Sequence, residues 1–231
     1  MIWGLMGMNV ASFRMHSGLI SCAVAVVLGL LLAVAGCSQD APSTGSSITR
    51  DNGFSGQDGQ TYEIVYNASM IRLRGFEDAE AIINDAAGLE GSAENGHLGA
   101  QETDDGSACL TYSQKQYDYQ VAWTEDELVS AASSFAASYT GSRVEVSGDA
   151  QTIDCYLTYE TVTDAASRQW ASDVAYLEML CGQKQILSHP GDGAWRVVIN
   201  VYNAGTGKLV ATGGSDTGDV TFNQDDWKAS E

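Results

Sequence analysis

Three hydrophobicity regimes follow one another along this 231-residue chain. Residues 19–34 form a continuous apolar run, LISCAVAVVLGLLLAV, inside a stretch from Ser17 to Gly36 that carries no Asp, Glu, Lys or Arg. Residues 38–60 are rich in Ser, Gly, Asp and Gln and nearly free of large apolar side chains. From Thr61 onward, apolar positions recur with periods of two and of about 3.6, the marks of half-buried strands and amphipathic helices.

In the third regime, residues 61–67 (TYEIVYN) and 70–75 (MIRLRG) read as strands. Residues 77–87 follow as a helix with Ala79, Ile82, Ile83 and Ala86 on one face. An acidic, glycine-containing loop spans 88–107, and 108–112 and 117–123 form a second strand pair. On 117–123 the apolar set is Tyr117, Tyr119, Val121 and Trp123. Thr124 then reads as a helix N-cap and Glu127 as its capping-box partner, with acids in the first turn to suit the helix dipole. Leu128, Ala131, Ala132, Phe135 and Tyr139 continue at helical spacing.

A third strand pair, 143–147 with 153–160, precedes a helix from about 164 to 181. Its apolar stripe is Ala166, Trp170, Val174, Leu177 and Cys181, and Gly182 reads as its C-terminal cap. A closing hairpin pairs 195–202 with 208–212 across Asn203-Ala204-Gly205-Thr206-Gly207, and 220–222 reads as a further short strand. Strand–strand–helix order therefore recurs without a residue-level repeat. Strand pairs with short connections favour antiparallel pairing, and one-striped helices must cover a sheet face. The expected fold is α+β: an antiparallel sheet of repeated strand-strand-helix units with about three helices packed on one face. Residues 61–231 amount to one domain.

The apolar run of the first regime ends at Val34-Ala35-Gly36-Cys37 and gives way at once to polar Ser38-Gln39-Asp40. This tetrapeptide resembles the lipobox of bacterial lipoproteins; the resemblance covers the export signal alone. The run before it has the parts of a secretory signal: Arg14 as its one Lys or Arg, an apolar middle, and small residues at the cut. Met6 and Met8 are alternative starts that keep Arg14. The resemblance implies a diacylglyceryl group on the Cys37 thiol and cleavage just before it. Residues 1–36 are then the signal peptide, and 37–60 a lipidated cysteine with a flexible tether. Two acyl chains hold a protein stably on a bilayer where one does not. The expected location is the cell membrane, lipid-anchored, on its extracytoplasmic face.

Charge narrows the partners. The chain has 11 Lys and Arg against 30 Asp and Glu, a net charge of −19. Losing Arg14 with the signal makes it more negative still. Such a surface repels nucleic acid, which excludes that class of partner. Cys22 leaves with the signal, and Cys109, Cys155 and Cys181 remain beside the lipidated Cys37. Export permits a disulfide. Cys155–Cys181 is the favoured pair, worth about 3.5 kcal/mol by the chain-entropy estimate; three buried free thiols are the alternative. The cysteine spacings match no zinc pattern.

Catalytic motifs are absent from the sequence of the domain: it has no G-x-S-x-G elbow, H-E-x-x-H, C-x-x-C or phosphate loop. His97 and His189 lie in predicted loops and read as solvated. No catalytic residue, metal or cofactor is assigned. Strand alternation places Asp118, Gln120, Asp154, Tyr156, Thr158, Arg196, Asn200 and Tyr202 opposite the apolar sets, and Arg72 and Arg74 opposite Ile71 and Leu73. Arg72, Arg74, Tyr156, Arg196 and Tyr202 are the candidate ligand-binding residues, suited to a glycan or a peptide through stacking and charge-assisted hydrogen bonds. A solvated sheet face with cross-strand Arg–Asp pairs is the alternative. The expected role is a non-catalytic binding or accessory domain for an envelope glycan, peptide or protein, with a tethered envelope hydrolase as the competing reading.

Overall fold

The computed structural model describes residues 60–87, 96–163 and 169–231. The lipobox, the signal and the tether up to residue 59 lie outside these residues. The chain is α+β, as expected, but among the described residues its strands form two sheets rather than one. It also gathers into two compact units. One unit takes the described residues up to Leu128 together with Met179–Trp195; the other takes Val129–Glu178 and Arg196–Glu231.

In the first unit, β1 (Thr61–Tyr66), β3 (Ala108–Ser113) and β2 (Gly99–Glu102) form a three-stranded antiparallel sheet in the order β1-β3-β2. The β1 register places Ile64 opposite Leu110 and Tyr66 opposite Ala108, all of them buried. The predicted strand 70–75 is a helix instead. Helix α1 (Ala68–Leu73) starts at Asn67, whose Oδ1 accepts the Met70 N–H at 3.0 Å. A side-chain acceptor at this position supplies a partner for a free amide of the first turn, which is what commits the backbone to a helix. Met70 and Ile71, adjacent in sequence, are both buried, an arrangement a half-buried strand does not give. Gly75, at φ +88°, follows the C-cap Arg74. Helix α2 (Ala79–Ala87) lies where the sequence placed it and buries Ala79 and Ile82.

The predicted strand 117–123 is also helical. Helix α3 (Gln114–Ser138) runs unbroken for 25 residues, so Thr124 is not a cap but an interior residue. Its hydroxyl donates back to the Gln120 carbonyl at 2.8 Å. The true start is at Ser113 and Gln116. Gln116 N–H donates to Ser113 Oγ at 3.4 Å, and Gln116 Oε1 accepts the Ser113 N–H at 2.9 Å. That reciprocal pair is the S-x-x-Q form of the capping box.

The second unit holds β4 (Arg143–Val146), β5 (Thr152–Leu157), β6 (Val198–Asn203) and β7 (Leu209–Gly214) in the order β4-β5-β6-β7. Here β5 and β6 pair in parallel, a correction to the expected all-antiparallel sheet. Between them in sequence lie α4 (Tyr159–Thr163) and α5 (Gln169–Ser188). Parallel neighbours require such a long crossover, whereas the short β6–β7 turn gives the antiparallel hairpin foreseen from the sequence. Val144, Ile153, Cys155, Leu157, Ile199 and Val201 form the buried face of this sheet. In the same unit α5 buries Trp170, Val174 and Leu177 of the stripe expected of it, while Ala166 lies outside the described residues. Residues 220–222 pair with no strand, yet Val220 and Phe222 are buried, and Phe222 lies 6.3 Å from Trp170 and 6.2 Å from Trp227 between ring centroids. Trp227 belongs to α6 (Gln224–Ala229), which Asn223 and Asp226 start with a full capping box.

Gly182 does not cap α5, which continues to Ser188. Its role is spatial. A Cβ there would lie 2.8 Å from Cε3 of Trp195 and would collide with the Met70 methyl, so the missing side chain is what lets the helix pass.

Candidate functional site

The outer face of the four-stranded sheet carries two rows of side chains set by register. Arg143, Tyr156, Tyr202 and Leu209 stand side by side across the four strands, and Glu145, Asp154, Asn200 and Thr212 form the next row. On β4, β5 and β6 alternation puts them there, because the neighbouring positions on those strands point into the core. An irregularity between Val201 and Tyr202 shifts the β7 register and brings Leu209 opposite Tyr202.

The first row is a continuous stack. Arg143 holds its guanidinium carbon 3.7 Å from the centre of the Tyr156 ring. On Tyr156 in turn stacks Tyr202, with centroids 5.0 Å apart and planes 18° from parallel. At the end of the row Leu209 is 54% exposed, a large apolar side chain left in water. Cation–π and aromatic contacts of this kind are each worth about 0.5–1.5 kcal/mol. They also fix rotamers, so the row is ordered before anything binds.

The second row is a hydrogen-bond ladder. Thr212 donates its hydroxyl to Asn200 Oδ1 at 2.9 Å, and Asn200 Nδ2 donates to Asp154 Oδ1 at 2.9 Å. Glu145 is engaged elsewhere, by Arg143 Nε at 2.8 Å. Partial burial, first, and then the negative charge of Asp154 and the neighbouring Tyr156 push the Tyr202 phenol above its usual pKa, so its hydroxyl stays protonated and able to donate.

Of the five residues singled out in sequence, Tyr156 and Tyr202 come together as a stacked pair. Arg196 shares their unit but lies just before β6, where its Nε pairs with Asp216 at 2.9 Å. Arg72 and Arg74 belong to the other unit and to α1 and its C-cap, not to a strand face. Arg74 lies 5.2 Å from the Tyr66 ring centre and donates from Nη1 to Gln183 Oε1 at 2.6 Å. Sequence reasoning missed Arg143 and Leu209. Arg143 opens a correctly predicted strand, and only its pairing opposite Tyr156 reveals what it stacks on.

The Cys155–Cys181 bridge is not formed: Cys109, Cys155 and Cys181 are buried and none is in a disulfide among the described residues. Burial raises the pKa of Cys109 and Cys155, which keeps both protonated and unreactive. His97 is not solvated but buried, with Nε2 3.0 Å from the Ala86 carbonyl and Nδ1 without a partner among the described residues. His189 is exposed, its Nδ1 3.2 Å from the Gln185 carbonyl. The hydrogen bonds of both histidines run to backbone carbonyls, not to a nucleophile. Among the described residues no His, Cys, Asp and Glu side chains cluster as metal ligands, and no helix is long and apolar enough to cross a membrane.

One carboxyl stands apart. Glu178, near the middle of α5 and 9% exposed, has its pKa raised to about 7, first by desolvation and then by the charge of Asp219. A group poised there can hold or release a proton at neutral pH. Comparison with protein-family models, with curated proteins and with solved structures gives no significant match.

Proposed function

We propose that this chain is a lipid-anchored, extracytoplasmic binding protein that holds an envelope component without transforming it. Its anchor is the lipidated Cys37, residues 38–60 give it reach, and the outer face of the four-stranded sheet is its binding surface. The observation that carries the binding reading is the Arg143–Tyr156–Tyr202 stack with exposed Leu209 beside it. Ordered tyrosines and arginines on a rigid sheet give contact area at small entropic cost, and that is the usual make-up of binding hot spots.

Capture from envelope extracts on wild-type and Tyr202→Ala protein tests the surface: the variant is expected to lose the captured component, and equal capture overturns the assignment. Mass spectrometry of the mature N-terminus tests the anchor: it is expected to find a diacylglyceryl group on Cys37, and an unmodified Cys37 or an intact Arg14 peptide overturns it.

The competing reading, a tethered envelope hydrolase, has Glu178 in its favour, since a carboxyl with a pKa of about 7 beside a second carboxyl suits a general acid. Turnover of wall or glycan substrates that disappears in Glu178→Gln would favour that reading.

A further inference from the structure

If the outer sheet face is the binding surface, as the binding reading has it, its make-up restricts what can dock there. A glycan gains most from aromatic residues through their flat faces. Here three of the four tyrosine faces are already occupied. One side of Tyr156 is covered by Arg143 at 3.7 Å and the other by Tyr202 at 5.0 Å, and the same stack covers one side of Tyr202. The row offers ring edges, hydroxyls and, beside the one remaining Tyr202 face, the exposed Leu209 side chain. Those groups suit the mixed apolar and polar surface of a protein better than the face of a sugar ring.

Charge gives the second restriction. Arg143 is engaged by Glu145 at 2.8 Å and Arg196 by Asp216 at 2.9 Å. Asp154, on inner strand β5, has no cationic partner among the described residues. Asn200 holds its Oδ1 at 2.9 Å, so the carboxylate is oriented, and Oδ2 has no hydrogen bond to the described residues. An oriented, half-buried carboxylate without a counter-charge is complementary to a cation delivered from outside. The net charge of −19 draws basic partners to the protein in the same sense.

We infer that the outer face of the β4-β5-β6-β7 sheet docks a protein that places an arginine or lysine side chain against Asp154, flanked by apolar contact with Leu209 and the Tyr202 edge. The arginine form would make a two-point contact with the carboxylate, the lysine form a single one.

A photoreactive phenylalanine analogue at Leu209 of the full-length chain, expressed and irradiated in its own host, tests this. The expected adduct is destroyed by protease and not by glycan-degrading enzymes, and its crosslinked peptide contains Arg or Lys. Its yield falls at least about tenfold in Asp154→Asn, the size of effect that losing one central charged contact gives. Asp126→Asn, an exposed acid on α3, serves as the control and leaves the yield unchanged. Asp154→Ser repeats the test in a second background, and circular dichroism of both variants checks that they fold. A glycan adduct, a crosslinked peptide without a basic residue, or equal yields from Asp154→Asn and Asp126→Asn overturns this proposal while leaving the binding reading in place. No adduct at all overturns both.

Discussion

Replacing Glu178 by glutamine should make the protein more stable at neutral and alkaline pH and leave it unchanged in acid. Glu178 is 9% exposed, and burial followed by the Asp219 charge raises its pKa from 4.5 to about 7. A carboxyl whose pKa is higher folded than unfolded binds its proton more tightly in the folded state. Its ionisation therefore works against folding. The penalty is nil below the unfolded value near 4.5, grows as pH rises toward 7, and is constant above that. A tenfold change in proton affinity is worth about 1.4 kcal/mol, so the full penalty is about 3 kcal/mol. Glutamine keeps nearly the same shape and cannot ionise. Urea denaturation of both proteins between about pH 4 and 8.5 should show the variant gaining on the wild type through that window, to a plateau of about 3 kcal/mol. Asp219→Asn should recover a smaller part, because desolvation is the larger cause. Equal stabilities at the alkaline end, or a gap that persists unchanged at the acid end, would refute the reasoning.

Gly182→Ala should destabilise by about 1–3 kcal/mol, against the roughly 1 kcal/mol gain usual for this change inside a helix, because the new methyl meets the Trp195 ring and Met70. Thermal denaturation reads the sign directly; a stabilised variant would show that the helix shifts freely. Native protein should react slowly with a thiol reagent at Cys109, Cys155 and Cys181 and rapidly once unfolded, and a reducing agent should leave its melting temperature unchanged. A fall in melting temperature on reduction would establish a disulfide instead.

The misread elements share a physical cause. Residues 117–123 alternate apolar and polar like a strand, yet Tyr117, Val121, Thr124 and Leu128 also fall at helical spacing. Period alone could not arbitrate. The deciding signal, Ser113 with Gln116 three residues on, was present in the sequence as a capping box. Asn67 before residues 70–75 was a similar local signal. For Gly182 the sequence offered only its position near the end of an apolar stripe, where a cap is the usual explanation. Its actual reason involves Met70 and Trp195, both remote along the chain.

By itself the sequence determined what local chemistry can fix: the α+β class, the β6–β7 hairpin from its glycine-containing turn, and which face of β5 and β6 is buried, since alternation needs no partner. Tyr156 and Tyr202 were thereby assigned to an outer face, but nothing local could make them neighbours. Their stacking depends on the parallel register of β5 with β6, and the addition of Arg143 depends on the antiparallel register of β4. Register between strands is set by long-range burial and by the helical crossover that returns the chain to the sheet. The same holds for the three thiols, whose burial without bridging follows from the core that forms around each one. Residue types and spacing told which groups were available; only tertiary pairing decided that Asp154 stands without a counter-charge among the described residues, beside an aromatic stack in which both faces of Tyr156 are filled.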